Sequence, residues 1–290
     1  MGTKAMSGRE WYFSHTAITS ALVLGFANSA WAADPGEIEP TADLFTPPTD
    51  LPAVSGFNAK ISPYFGWQDD DAGDGALIGI DGTVAFPLSH RFGAEIGGQF
   101  SGVDGDLFGR AQGHVFWRNP STGLLGVYGS VEGFDDYDYS SWRLAGEAEA
   151  YFDQVTLAGL LGYEDQDTPS GSDNGVFALA DINYYLTDDL RLSVGYRHMF
   201  GMDMAAAGFE YQLSDPFLGS GTSLFAEARI GDDDYAAVWG GLRLYFGTGQ
   251  KSLIRRHRED DLLRPDERPR IRMDDCGDDK FDKCNGREET

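Results

Sequence analysis

The chain has 290 residues, 38 of them Gly and 13% aromatic, and its 47 acids against 22 Lys and Arg leave a formal charge of −25. With two Cys and five His, this composition excludes a disulfide-dense mini-domain and a zinc-cluster protein, and the acidic balance excludes nucleic-acid binding through a basic patch. No apolar run is long enough for a transmembrane helix, and Gly at roughly twice its usual share beside abundant aromatics points to an all-β protein with polar loops.

In chain order, residues 1–32 read as an export signal. Lys4 and Arg9 give a sparse positive start, Ala17 to Ala27 is an apolar run of 11, and Ala30-Trp31-Ala32 offers small residues for cleavage before Ala33. Eleven residues of helix span only about 16 Å, too short to anchor in a bilayer. Residues 33–57 carry five Pro, five acids and no base, an acidic loop-like segment. From 58 to 247 the pattern becomes a repeated unit: about ten residues of period-two alternation, then a Gly/Asp/Pro/Ser cluster. Twelve strands are predicted, near 58–68, 77–87, 92–102, 107–118, 124–134, 141–152, 155–164, 175–186, 190–200, 204–213, 222–230 and 235–247.

In nearly every strand one face is wholly uncharged and the other carries charge at mid-strand. The sixth gives Trp142, Leu144, Gly146, Ala148, Ala150 and Phe152 on one face, with Arg143, Glu147, Glu149 and Tyr151 on the other. Connections also sort into two kinds. Those after even-numbered strands are mostly short. Those after odd-numbered strands, Asp69–Ala76, Val103–Asp106, Asp135–Ser140, Asp165–Asn174, Gly201–Asp203 and Gly231–Asp234, hold sixteen Asp and no Lys or Arg. Aromatics gather near strand ends in two sets. Phe86, Phe92, Trp117, Phe152, Tyr184, Tyr211 and Phe246 lie toward the short turns, and Trp67, Phe100, Trp142, Tyr163 and Phe200 toward the acidic end, as in bilayer interfacial belts.

Together these features resemble the Gram-negative outer-membrane β-barrel superfamily, and Gly241-Leu242-Arg243-Leu244-Tyr245-Phe246 looks like the closing-strand signal read by that superfamily's barrel-assembly machinery. No motif points to one family within it. The resemblance implies a single closed, antiparallel, up-and-down transmembrane barrel of about twelve strands (58–247), exported to the outer membrane. Both chain ends, 33–57 and 248–290, would then be flexible and periplasmic. Closure has its own physical reason: an open sheet edge in lipid leaves backbone groups unpaired at several kcal/mol each.

The inward face carries the candidate pore-lining residues Lys60, Glu95, Arg110, His114, Glu132, Arg143, Glu147, Arg197, Glu227 and Arg243. Two readings stand side by side: a narrow channel for small polar solutes or cations, or a non-conducting scaffold whose lumen charges pair with one another. Asp69, Asp70, Asp71, Asp135, Asp136, Asp138, Asp232, Asp233 and Asp234 would steer cations to the mouth, bridge to lipopolysaccharide through divalent ions, or solvate the surface. No metal site and no cofactor is expected, since Asp70-Asp71-Ala72-Gly73-Asp74-Gly75 has Ala where an EF-hand loop needs a ligand. No enzymatic activity is expected either, because no spacing joins Ser, His and an acid. In the tail, eight Lys and Arg between 251 and 272 precede Cys276 and Cys284, whose pairing as a disulfide is expected in an oxidising compartment. Expected partners are outer-membrane lipid and lipopolysaccharide, the assembly machinery during insertion, and a periplasmic partner for the tail. The oligomeric state is not legible.

Overall fold

The computed structural model describes residues 51–262, apart from 71–72, 104–105, 135–138, 169–170, 233 and 248. Twelve antiparallel strands form one closed barrel: β1 (Asn58–Asp70), β2 (Gly73–Pro87), β3 (Phe92–Val103), β4 (Asp106–Asn119), β5 (Gly123–Phe134), β6 (Ser140–Phe152), β7 (Val155–Thr168), β8 (Gly171–Thr187), β9 (Leu190–Met199), β10 (Met202–Gln212), β11 (Gly221–Gly231) and β12 (Ala236–Phe246). Each strand pairs with its sequence neighbours, and β1 closes on β12 from Ala59↔Phe246 to Asp69↔Ala236. Closure follows from the alternation. Apolar side chains on one face need lipid, polar ones on the other need each other, and a cylinder satisfies both without an edge.

The outward face is an apolar band. Ile61, Phe65, Ile78, Ile96, Leu125, Val127, Leu144, Leu161, Val194 and Val238 are all exposed, which in water would be an untenable surface and in lipid is the required one. Phe92, Phe152, Tyr184 and Tyr211 ring it at one end, Trp67, Phe100, Trp142 and Tyr163 at the other, with Trp142 and Tyr163 5.7 Å apart between ring centroids. Phe200 departs from the expected belt. It sits in the two-residue turn between β9 and β10 at φ 50, followed by Gly201 at φ 73, and its ring folds inward over Arg143 at 4.7 Å.

Two expectations about connections are corrected. The stretches Asp69–Ala76 and Asp165–Asn174 are largely strand: Asp69 pairs with Asp74, and β7 and β8 stay in register out to Thr168↔Gly171. The acidic end is thus marked by charge and by strand extension more than by loop length. The start of the tail is also not a free linker. Residues Leu253–Glu259 form a short helix, α1, and Leu253, Arg256, His257, Asp260, Asp261 and Leu262 are all buried. Ala53 and Val54, before β1, are buried as well.

Candidate functional site

The site is the barrel interior and its short-turn mouth, where both ends of the described chain lie. All ten candidate pore-lining residues point inward, and seven are buried: Glu95, Arg110, His114, Glu132, Arg143, Glu147 and Arg197. The register explains how they meet. Arg110 stands opposite Glu132 across β4–β5, and Arg143 opposite Glu164 across β6–β7. The result is a relay: Arg110 Nε donates to Glu132 Oε2 at 2.8 Å, Arg143 Nη1 to the same oxygen at 2.9 Å, and Arg143 Nε to Glu164 Oε2 at 3.0 Å. Glu132 also accepts from Ser141 at 2.9 Å.

A second relay runs along β8, β9 and β11. Arg197 pairs with Asp181 at 2.6 Å and lies 3.7 Å from Glu227, which pairs with Arg229 at 2.9 Å. His114 and Glu147 meet at 2.7 Å. Toward the short-turn end, Glu210 pairs with Arg243 and with Arg191 (3.4 Å), and accepts from Tyr245 Oη at 2.6 Å. Taking such charges out of water costs several kcal/mol per ion, and mutual pairing offsets this only with good geometry. Here each of these carboxylates has at least one guanidinium or imidazole partner, so the arrangement is a network of paired charges.

Apolar packing fills the space between the relays. Tyr64, Leu77, Tyr128, Leu160, Phe177, Leu179, Met199, Met202, Met204, Phe225, Tyr235 and Trp239 form one buried cluster, weighted toward the acidic half. Guanidiniums lie over its rings: Arg229 over Trp239 at 4.7 Å and Arg243 over Phe225 at 4.2 Å. Inward glycines do not hollow the lumen. A Cβ at Gly79 would collide with the Tyr64 ring and one at Gly93 with Phe116; each glycine makes room for a neighbouring side chain.

The mouth itself is closed by residues 251–262. Lys60 Nζ donates to both carboxylate oxygens of Asp261, at 2.9 and 2.7 Å. Arg118 reaches the carbonyls of Ala53 (3.3 Å) and Asp261 (3.0 Å), tying the segment before β1 to the one after β12. Leu262 packs with Val54, Ala85, Phe116 and Leu124, and its N–H points to Glu95 at 3.5 Å. Leu253 packs on Tyr185, Arg256 donates to the Ser220 carbonyl at 3.1 Å, and Arg258 to those of Asp153 and Val155 at 2.8 and 3.1 Å. His257 is buried at the centre: its Nδ1 shares a 2.8 Å hydrogen bond with Tyr185 Oη, and its Nε2 is 3.5 Å from Tyr245 Oη and 3.6 Å from Glu210. Burial brings its pKa down to about 3, against the attraction of Glu210. Sequence reasoning placed His257 in a free tail. The missed signal is the apolar pair Leu253 and Ile254, with His257 four residues after Leu253 and Leu262 beyond, in an otherwise polar stretch.

Of the acidic residues, Asp69, Asp232 and Asp234 are exposed at the rim. The Asp232 carboxylate accepts from the Asp203 N–H at 2.9 Å, and Asp203 in turn pairs with His198 at 2.6 Å. Asp71, Asp135, Asp136, Asp138 and Asp233, with Cys276 and Cys284, lie outside the described residues, as does the side chain of Asp70. Among the described residues no group of three His, Cys, Asp or Glu is arranged to hold a metal.

No protein-family model and no curated protein matches the sequence. Solved structures do. The KdgM porin is 12% identical with a TM-score of 0.50, over 65% of this chain and 99% of that one. An outer membrane channel from Pseudomonas putida F1 is 10% identical (TM-score 0.48, 72% and 100% covered), and the outer membrane phospholipase A of Escherichia coli is 15% identical (TM-score 0.47, 63% and 92%). These likenesses concern the fold, a closed antiparallel β-barrel of the kind these outer-membrane proteins have. They also correct one expectation. A phospholipase stands among the similar barrels, so the lack of a legible triad in the sequence does not set this chain apart from enzymes, and at 15% identity the fold alone assigns no activity.

Proposed function

We propose that the protein is an outer-membrane barrel with a closed interior: a non-conducting scaffold that presents acidic surface at one end and holds the root of its C-terminal tail in the other. The observation that supports this is the burial of the inward charges against one another. A water-filled pore needs its lining charges to face water, and here the relays from Arg110 to Glu164 and from Asp181 to Arg229 face their partners. On this reading the acidic end faces outward, where Asp69, Asp232 and Asp234 meet solvent or cation-bridged lipopolysaccharide, and the short-turn end faces the periplasm.

The test is a planar-bilayer recording of the mature chain purified from outer membranes, under a salt gradient. Folding is checked beforehand by the mobility shift of the unheated barrel on a denaturing gel. A folded, silent barrel is expected. Steady conductance steps with a cation-selective reversal potential would overturn this reading in favour of the narrow channel.

A further inference from the structure

We propose that residues 251–262 are a reversible plug, an internal ligand that sits in the short-turn mouth and leaves it in acid when His257 takes up a proton. The segment belongs to no sheet. It is joined to β12 through Gly247 (φ 152) and Gly249 (φ 74), backbone conformations that glycine adopts without strain, so the join can rotate without disturbing the barrel. Its hold is mostly polar: Lys60 to Asp261, Lys251 to Ser55, Arg256 to Gln212 and Ser220, Arg258 to the β6–β7 turn. Water can replace each of these bonds at the mouth. Large buried apolar side chains number two in the segment, Leu253 and Leu262.

His257 is where protons act. Around it stand Tyr185 from β8, Arg191 from β9, Glu210 from β10, Arg243 and Tyr245 from β12, and Asp261 from the plug itself. Glu210 already serves two guanidiniums, Arg191 and Arg243. A proton on His257 adds a third cation beside one carboxylate, in a place closed to water. A released His257 meets no such cost. The docked form therefore resists the proton and the free form takes it near the ordinary value of about 6.5. With the docked value at about 3, docking is at full strength above pH 6.5 and weakens about tenfold per unit as the pH falls below it. Glu259, held below the usual range by Arg255 and Lys251 despite its burial, stays ionised throughout pH 5–7.5.

The experiment uses the full mature chain in lipid. Cys276→Ser and Cys284→Ser remove the native thiols, and a nitroxide is attached through Arg255→Cys, a position whose side chain is 55% exposed while docked. The expected spectrum is immobilised at pH 7.5, and between pH 7.5 and 5 the mobile-to-immobilised ratio rises about thirtyfold, reversibly and with the barrel's gel mobility unchanged. His257→Gln keeps the side chain polar but cannot titrate in this range, so its ratio, whatever its starting value, should not vary between pH 7.5 and 5; His90→Gln should respond like the parent. An unchanged spectrum in the parent at pH 5, or a full pH response retained in His257→Gln, would overturn the proposal. Because the readout is plug mobility, it is independent of whether the barrel conducts.

Discussion

At the scale of single residues, the glycines separate into two populations that the sequence writes identically. Most inward ones are demanded by packing: a Cβ at Gly195 would run into the Asp181 carboxylate and Arg197 Nη1 of the second relay, and into the Ala180 carbonyl. Most outward ones are not, and a Cβ at Gly146 would meet nothing within 4 Å. Gly195→Ala should therefore destabilise the barrel by about 1–3 kcal/mol through overpacking, while Gly146→Ala should be neutral or stabilise by up to about 1 kcal/mol through reduced freedom of the unfolded chain. Guanidinium unfolding in detergent, followed by gel mobility, measures both; equal effects at the two sites would refute the distinction. The alternation placed these glycines on their faces correctly. What it could not carry is the third dimension, since Tyr64 and Phe116 fill the gaps at Gly79 and Gly93 from other strands.

Among the elements, the strands were legible and the helix was not. All twelve strands lie where period-two alternation predicts them, because each must satisfy lipid and lumen at once and the sequence shows that demand directly. Strand ends were less legible: polar Asp and Gly look like loop, yet β1–β2 and β7–β8 continue as hairpins beyond the apolar band. α1 has one turn of apolar anchors, no acid in its first turn and no side-chain N-cap. Its order comes from the mouth, not from propensity. Leu262→Ala follows from this. It removes a side chain buried among Val54, Ala85, Phe116 and Leu124, a loss of about 2–5 kcal/mol for a buried Leu. The penalty should fall on docking and leave the strands alone. Trypsin cleavage after Arg255, Arg256 or Arg258 should accelerate more than tenfold, with the barrel's own unfolding midpoint little changed.

For the whole molecule, two separate sets of residues fill the two halves of the lumen. The relays and the Tyr, Phe and Met cluster occupy the acidic half, and residues 251–262 occupy the other. Termination of the chain after Gly247 should therefore leave a barrel that folds and still does not conduct; bilayer recording checks this, and appearance of steps on truncation would mean that the plug alone had been the seal. The candidate interior residues could be listed from the sequence, since charge on the lumen face is unmistakable. Whether they face water or each other depends on the stagger between neighbouring strands, which sets Arg110 against Glu132 and Arg143 against Glu164 and is not written in any single strand.

One bond pattern carries a consequence for time. Lys60 and Arg118 reach the tail only where β1 has already met β12, since the mouth they line exists only in the finished cylinder. The stretch after the last strand can thus take its full seat only once the seam has shut. A chain whose first and last strands failed to join would leave Arg255, Arg256 and Arg258 in the open, marked for any protease that cuts at arginine. The barrel carries its own certificate of completion in the segment that follows it.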